Sequence, residues 1–164
     1  MKEILVDKNG YKQYLDEIER MKDQINTIAS TGSSAYKEAV GDGWHDNFAF
    51  EDTMRENRIM NAKLNALRED KKYIKVIKSV KEKEDIVNIG NKLRISVIYS
   101  EDDIEEYDVI LTGNYLPNLE SEITEITLNS PIGKAIYLKN INNDIKTRIN
   151  DKDITIKIIK KYND

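Results

Sequence analysis

Six apolar residues near the start of the chain, Tyr11, Tyr14, Ile18, Met21, Ile25 and Ile28, follow one another at spacings of three and four. That is a heptad seam, and it admits little besides a long amphipathic helix with one narrow apolar stripe. Asp16, Glu17, Glu19, Arg20, Lys22 and Asp23 fill the intervening positions as a solvated face. A second stripe, Met60, Leu64, Leu67, Ile74 and Ile77, predicts a second helix over 48–78, with the aliphatic stem of Lys71 covering one seam position. One seam per helix joins two helices without burying a globular core. The expectation for the first half is therefore an antiparallel two-helix coiled coil, a rod roughly 40 Å long at 1.5 Å per residue. Residues 1–10 read as a lead-in, with Asp7 or Asn9 as cap of the first helix. Ser30-Thr31-Gly32-Ser33-Ser34 reads as a kink or break in that helix.

Between the stripes lies Gly41-Asp-Gly-Trp-His-Asp-Asn-Phe-Ala-Phe-Glu51, which holds Asp42 and Asp46, the only Trp, Trp44, and the only His, His45. Two glycines break the helical period there. A turn at the end of a rod has little core to pack, so acids, an indole and an imidazole placed in it point to function. Structural roles fit some of the same residues. Asp46 or Asn47 can cap the second helix by accepting from an unpaired first-turn N–H, and Asp42 between Gly41 and Gly43 can be a turn residue.

Composition narrows the chemistry. The chain of 164 residues has no Cys, which excludes disulfides, thiolate nucleophiles and Cys-based zinc sites. A single His makes a His-rich metal site or a Ser-His-Asp triad improbable chemistry for it. A net charge of −4 argues against broad binding to a nucleic-acid backbone. Residues 1–81 carry 15 Lys/Arg against 14 Asp/Glu, whereas residues 82–164 carry 11 against 16, so the halves have different surfaces. No stretch approaches a membrane span, and a soluble cytoplasmic protein with no membrane partner is expected.

The pattern changes at Ser79–Glu84, a charged stretch that reads as a linker. Beyond it, the period-2 runs 92–99, 106–111, 123–128 and 153–159 predict strands, with turns at Gly90-Asn91, Ser100–Asp103, Gly113-Asn114 and Asn150-Asp151. Ser130-Pro131 is a helix start, Ser130 as cap and Pro131 in the first helical position. The fold class expected is α+β: residues 1–80 as a coiled-coil hairpin with an acidic tip at 41–47, and 81–164 as a small domain built on an antiparallel sheet.

Two stretches carry a resemblance to a known family. The first is Gly41-Asp42 with Asp46-Asn47-Phe-Ala-Phe and Arg55-Glu-Asn-Arg58, continuing through Leu64-Asn-Ala-Leu67 to Val76-Ile77. The second is Leu128-Asn-Ser-Pro-Ile-Gly-Lys-Ala-Ile136. Together, in this order, they resemble the bacterial GreA/GreB family of transcript cleavage and elongation factors. The resemblance implies an FKBP-like C-terminal domain without isomerase activity. It also implies a coiled coil that enters the secondary channel of RNA polymerase. There the tip acids help hold a Mg²⁺ shared with the polymerase's own aspartates, and water cuts backtracked RNA at the polymerase site. The chain itself would be a monomeric cofactor of that reaction and no enzyme.

On this resemblance Asp42 and Asp46 are the residues assisting catalysis and sharing the metal, with carboxylate oxygens as natural Mg²⁺ ligands. Trp44, His45 and Asn47 are tip contacts near the 3′ end of the nascent RNA. Trp44 either folds back on Phe48 and Tyr36 or stacks on a base or on polymerase. His45 relays a proton or meets a phosphate, and Asn47 caps or braces the tip. Arg55 and Arg58 either face polymerase or RNA or belong to the solvated face. The chain departs from the family in its tip. The family's Asp-x-x-Glu becomes Asp42-Gly-Trp-His-Asp46, one residue longer and ending in the shorter acid. Aligning Asp46-Asn47 on the family's Glu-Asn places Gly43 upstream; aligning Gly41-Asp42 on Gly-Asp requires an insertion. The family also contains channel-binding inhibitors, so an inhibitor or modulator is the alternative reading. A coiled-coil adaptor gripping a protein through Trp44 and Phe48 is a third, and a free-standing hydrolase a distant fourth.

Overall fold

The apolar alternation from residue 92 onward builds a five-stranded sheet. The computed structural model describes residues 2–38, 48–78 and 83–162. It divides into two compact units, Met1–Gln13 with Ile74–Asp164, and Tyr14–Tyr73. The sheet unit thus takes in the first residues and the segment after Tyr73, both of which were expected in the helical half.

In the sheet unit, β1 (Ile4–Val6) and β2 (Ile74–Val76) pair in parallel, and Ile77 N–H extends the ladder to Val6 O at 2.8 Å. The main sheet is formed by β3 (Lys92–Ser100), β4 (Asp103–Thr112), β5 (Thr124–Thr127), β6 (Ile145–Ile149) and β7 (Lys152–Tyr162), in the order β5-β4-β3-β7-β6. It is not wholly antiparallel, as had been expected: β5 runs parallel to β4. The inner face carries Leu93, Ile95 and Val97 of β3, Val109 and Leu111 of β4, and Ile154 and Ile156 of β7. Ile126 of β5, Leu128 just after it, Ile145 of β6, Ile136 of the short helix α3 (Pro131–Ile136) and Val87 complete this core.

Local chemistry explains the connections. Ser130 Oγ accepts from Gly133 N–H at 3.0 Å and Pro131 opens α3, as its sequence predicts. Asn150 and Asp151 both have positive φ, 49° and 63°, which suits a two-residue hairpin between β6 and β7. The register between β3 and β7 shifts at Arg94/Ile95, so Ile159 is left without a partner and is half exposed. That extra residue rephases β7 and brings Lys160 opposite Arg94. On the outer face Arg94 meets Glu106 at 3.2 Å and Asp108 at 3.6 Å, and Tyr162 Oη donates to Asp108 at 2.8 Å.

The helical unit corrects two expectations. Helix α1 runs unbroken over Lys8–Glu38, capped by Asp7, whose Oδ1 accepts from Gly10 N–H at 2.7 Å. The hydroxyls of Thr27, Thr31 and Ser34 donate to carbonyls four residues earlier, so Ser30–Ser34 continues the helix. Helix α2 (Phe48–Asp70) stops eight residues short of the expected end at 78. Three successive bonds from Lys71, Lys72 and Tyr73 to carbonyls three residues back tighten its end. Ile74 and Ile77, expected on the helical stripe, belong to the β2 segment, because parallel pairing with β1 satisfies their backbone.

Within this unit the two helices run antiparallel. Tyr14 near the start of the pair donates from Oη to Leu67 O at 2.8 Å, and Gly32 lies against Thr53 near the other end. A Cβ on Gly32 would stand 2.8 Å from Thr53 Cγ2, so the close approach requires glycine. The predicted α1 seam is buried or half-buried at every position and continues to Gly32. The facing seam is Phe50, Thr53, Asn57, Met60, Leu64 and Leu67.

Candidate functional site

The residues singled out for function, Asp42, Trp44, His45, Asp46 and Asn47, lie outside the described residues, as do Gly41 and Gly43. They belong to the connection from Glu38 to Phe48, which joins the two antiparallel helices. The described flank of that connection is the start of α2. Phe48 is 72% exposed and Met54 46%, a large apolar presentation for the first turns of a polar helix. Arg55 pairs with Asp52 at 3.0 Å, and Arg58 Nε donates to Met54 O at 3.3 Å, so both cations stay on the exposed side. Phe50, Glu51, Asp52, Met54, Arg55 and Arg58 line a shallow cleft of about 560 Å³. Among the described residues, no group of three or more His, Cys, Asp or Glu side chains could hold a metal ion.

Sequence reasoning placed no particular contact surface in the C-terminal part, where the structure holds exposed leucines on a braced loop. The loop from Asn114 to Glu120 is braced at both ends. Gln13 Oε1 accepts from Tyr115 and Leu116 N–H at 2.9 and 3.1 Å, and Gln13 Nε2 donates to Leu116 O at 3.2 Å. Glu125 Oε2 accepts from Asn118 N–H and from Asn114 Nδ2, both at 3.0 Å. The brace holds Leu119 at 91% exposure beside Leu116 at 46%. An aliphatic side chain held by a hydrogen-bonded loop loses less freedom on meeting a partner than one on an unbraced loop.

The same unit fixes the beginning of α1. Asn129 donates from Nδ2 to Leu5 O and accepts at Oδ1 from Leu5 N–H, both at 2.8 Å, mimicking a neighbouring strand. Gly113 O accepts from Asp7 N–H at 2.9 Å, and a Cβ on Gly10 would stand 2.0 Å from that oxygen. These contacts make the residues around Asn129-Ser130-Pro131 structural.

No family model matches the chain. A curated relative aligns nearly end to end: transcription elongation factor GreA of Syntrophomonas wolfei subsp. wolfei is 22% identical over 162 residues, spanning 97% of this chain and 96% of that protein. The chain resembles the GreA/GreB factors along its whole length. Among solved structures, GreA factor homolog 1 (Gfh1) of Thermus thermophilus superposes with a TM-score of 0.41 at 14% identity, covering 99% of this chain and all of that one. Elongation factor GreA/GreB of Nitrosomonas europaea gives 0.36 at 15% identity over 61% of this chain and 79% of its own. Among the described residues no helix is long and apolar enough to cross a membrane.

Proposed function

We propose that this chain is a Gre-type factor of bacterial RNA polymerase that enters the secondary channel and stimulates cleavage of backtracked RNA. The observation that carries the reading is the full-length alignment with a GreA. The antiparallel helical pair and its acid-bearing connection add physical support. In this reading the pair is the coiled coil, and the sheet unit is the FKBP-like domain. The chain is a cofactor of the polymerase's own cleavage activity.

The donor set fits the metal. Asp42 and Asp46 supply only hard carboxylate oxygens, the ligand type Mg²⁺ takes, and two acids leave most of the coordination sphere to water and a partner. A Mg²⁺ shared with polymerase supplies charge stabilisation for an in-line attack by water. This chain's own part is positional. The helical pair carries the acids, and Trp44, His45 and Asn47 sit within the same connection as contacts to polymerase or to the RNA 3′ end. The braced Leu116–Leu119 loop is the docking contact proposed for the sheet unit.

The test uses stalled, backtracked elongation complexes with labelled RNA and Mg²⁺. Shortened transcript with the wild-type chain, and a loss of at least about tenfold in cleavage rate with Asp42→Ala or Asp46→Ala, is the expected result. The five-residue span from Asp42 to Asp46, one longer than the family's, motivates a second reading as a channel-binding inhibitor. Binding with slowed elongation and no shortening would establish that reading instead. An unchanged rate in both Ala variants would remove the carboxylates from the mechanism.

A further inference from the structure

We propose that the cleft between α3 and β6 in the sheet unit binds an oligophosphate anion. None of its lining residues belongs to the tip or to the Leu116–Leu119 loop. The cleft has a volume of about 450 Å³, within the range that accepts a nucleotide-sized ligand. Three lysines reach it from three different pieces of backbone: Lys134 on α3, Lys139 in the turn after it, and Lys146 on β6. Among the described residues none of the three has an ion-pair partner. The one acid on the cleft, Asp144, is already engaged by Lys157 at 3.4 Å. This concentration of cation occurs in the half of the chain that carries 16 acids against 11 bases.

The wall bearing Lys139 is held in place before any ligand arrives. Leu138 has φ of 58°, a left-handed conformation that a branched side chain disfavours, and the surrounding bonds impose it. Leu138 N–H donates to Val87 O, Lys139 N–H to Ile136 O, and Val87 N–H to Lys139 O, at 2.9, 3.0 and 2.9 Å. Asn140 follows, paired with Ile86, its Oδ1 accepting from Asn142 N–H at 2.9 Å. Preorganised walls reduce the ordering cost of binding. Ammonium groups act as point charges toward phosphate oxygens, and three of them answer a chain of phosphates better than a single one.

Titration calorimetry on the full chain at low salt, without Mg²⁺, tests the inference with inorganic triphosphate and with ATP as probes. Saturable one-site binding is expected, weakened about tenfold or more by Lys139→Glu and by Lys146→Glu. Lys152→Glu, the same charge change on an exposed residue outside the cleft, should leave it unchanged. Tighter binding of ATP than of triphosphate identifies a nucleotide; equal binding identifies the phosphate chain alone. Either supports the site. Lys139→Gln repeats the measurement without a reversed charge, in case the Glu variant alters the fold by circular dichroism. Absence of saturable heat with both probes, or equal weakening by Lys152→Glu, overturns it. Neither outcome bears on transcript cleavage, which is read separately.

Discussion

The two units bury apolar surface in opposite ways. The sheet unit has a core of twelve buried apolar side chains shared among strands β3 to β7, α3, Val87 and Leu128. In the helical unit, only Tyr14 and Leu64 are buried apolar side chains among the described residues. Ile18, Met21, Ile25, Ile28, Met60 and Leu67 are covered on one side and half exposed on the other. Between Phe50 and Met60 the seam also turns small and polar, with Gly32, Thr53 and Asn57 where farther along the pair it has Tyr14, Leu64 and Leu67. A two-stranded seam removes little area from water, so each contact counts for less and the stretch around Gly32 and Thr53 is held more weakly than the stretch around Tyr14 and Leu64.

The largest expected effect lies in the sheet. Ile95 is fully buried on the central strand, and Ile95→Ala should cost about 2–5 kcal/mol in urea unfolding of the sheet unit. The same truncation at Ile25, only partly buried on the α1 seam, should cost at most roughly half as much. Equal losses at the two positions would break the comparison between the units.

Gly32→Val comes next. The added side chain meets the stiff Thr53 methyl, and overpacking of this kind costs about 1–3 kcal/mol. Hydrogen exchange should report the loss first in α1 and α2 near the tip, with the amides of β3 and β7 unaffected. Protection lost uniformly through both units would show that they unfold as one.

How much of this was legible beforehand differs between the units for a physical reason. A heptad seam is written in local spacing, and each of its six residues in α1 is at least half-buried. The strands β1, β2 and β6 were not read because they have no pattern of their own. Ile4–Val6 and Ile74–Val76 are three residues each and exist as strands through pairing with one another. Ile145-Lys-Thr-Arg-Ile149 has apolar residues only at its ends and is recruited by the hairpin at Asn150-Asp151. Ser30–Ser34 misled because hydroxyl bonds to preceding carbonyls are invisible in composition. For the candidate site, residue type and order singled out Asp42 and Asp46, but the spacing of two acids in a connection does not state how close their oxygens come. Leu119 was overlooked since a leucine in Leu-Pro-Asn-Leu reads alike whether buried or exposed. Gln13 and Glu125, which brace it, are distant in sequence.

A smaller effect sharpens the comparison at the base of the pair. Tyr14→Phe keeps the buried ring and removes the bond from Oη to Leu67 O. The loss should be about 1 kcal/mol. It should appear in exchange of the helical amides and leave the sheet amides as they were.

The smallest effect expected is with pH. Glu17 is on the covered side of α1, and Arg20 holds its carboxyl below the ordinary value of 4.5, chiefly through a side-chain hydrogen bond, with bonds of 2.7 and 2.5 Å. A carboxyl whose folded value is lowered binds its proton more readily when unfolded. Its contribution is therefore complete above 4.5 and is lost as pH falls through the lower folded value. Helical-unit stability should decline over that acidic window by an amount that Glu17→Gln abolishes, because the amide cannot titrate. Arg20 has a side chain 55% exposed, so solvent screens the pair and added salt should shrink the decline further. An equal decline in wild type and Glu17→Gln would assign the acid sensitivity to other carboxylates and leave the seam, not its charged border, as what holds the two helices together.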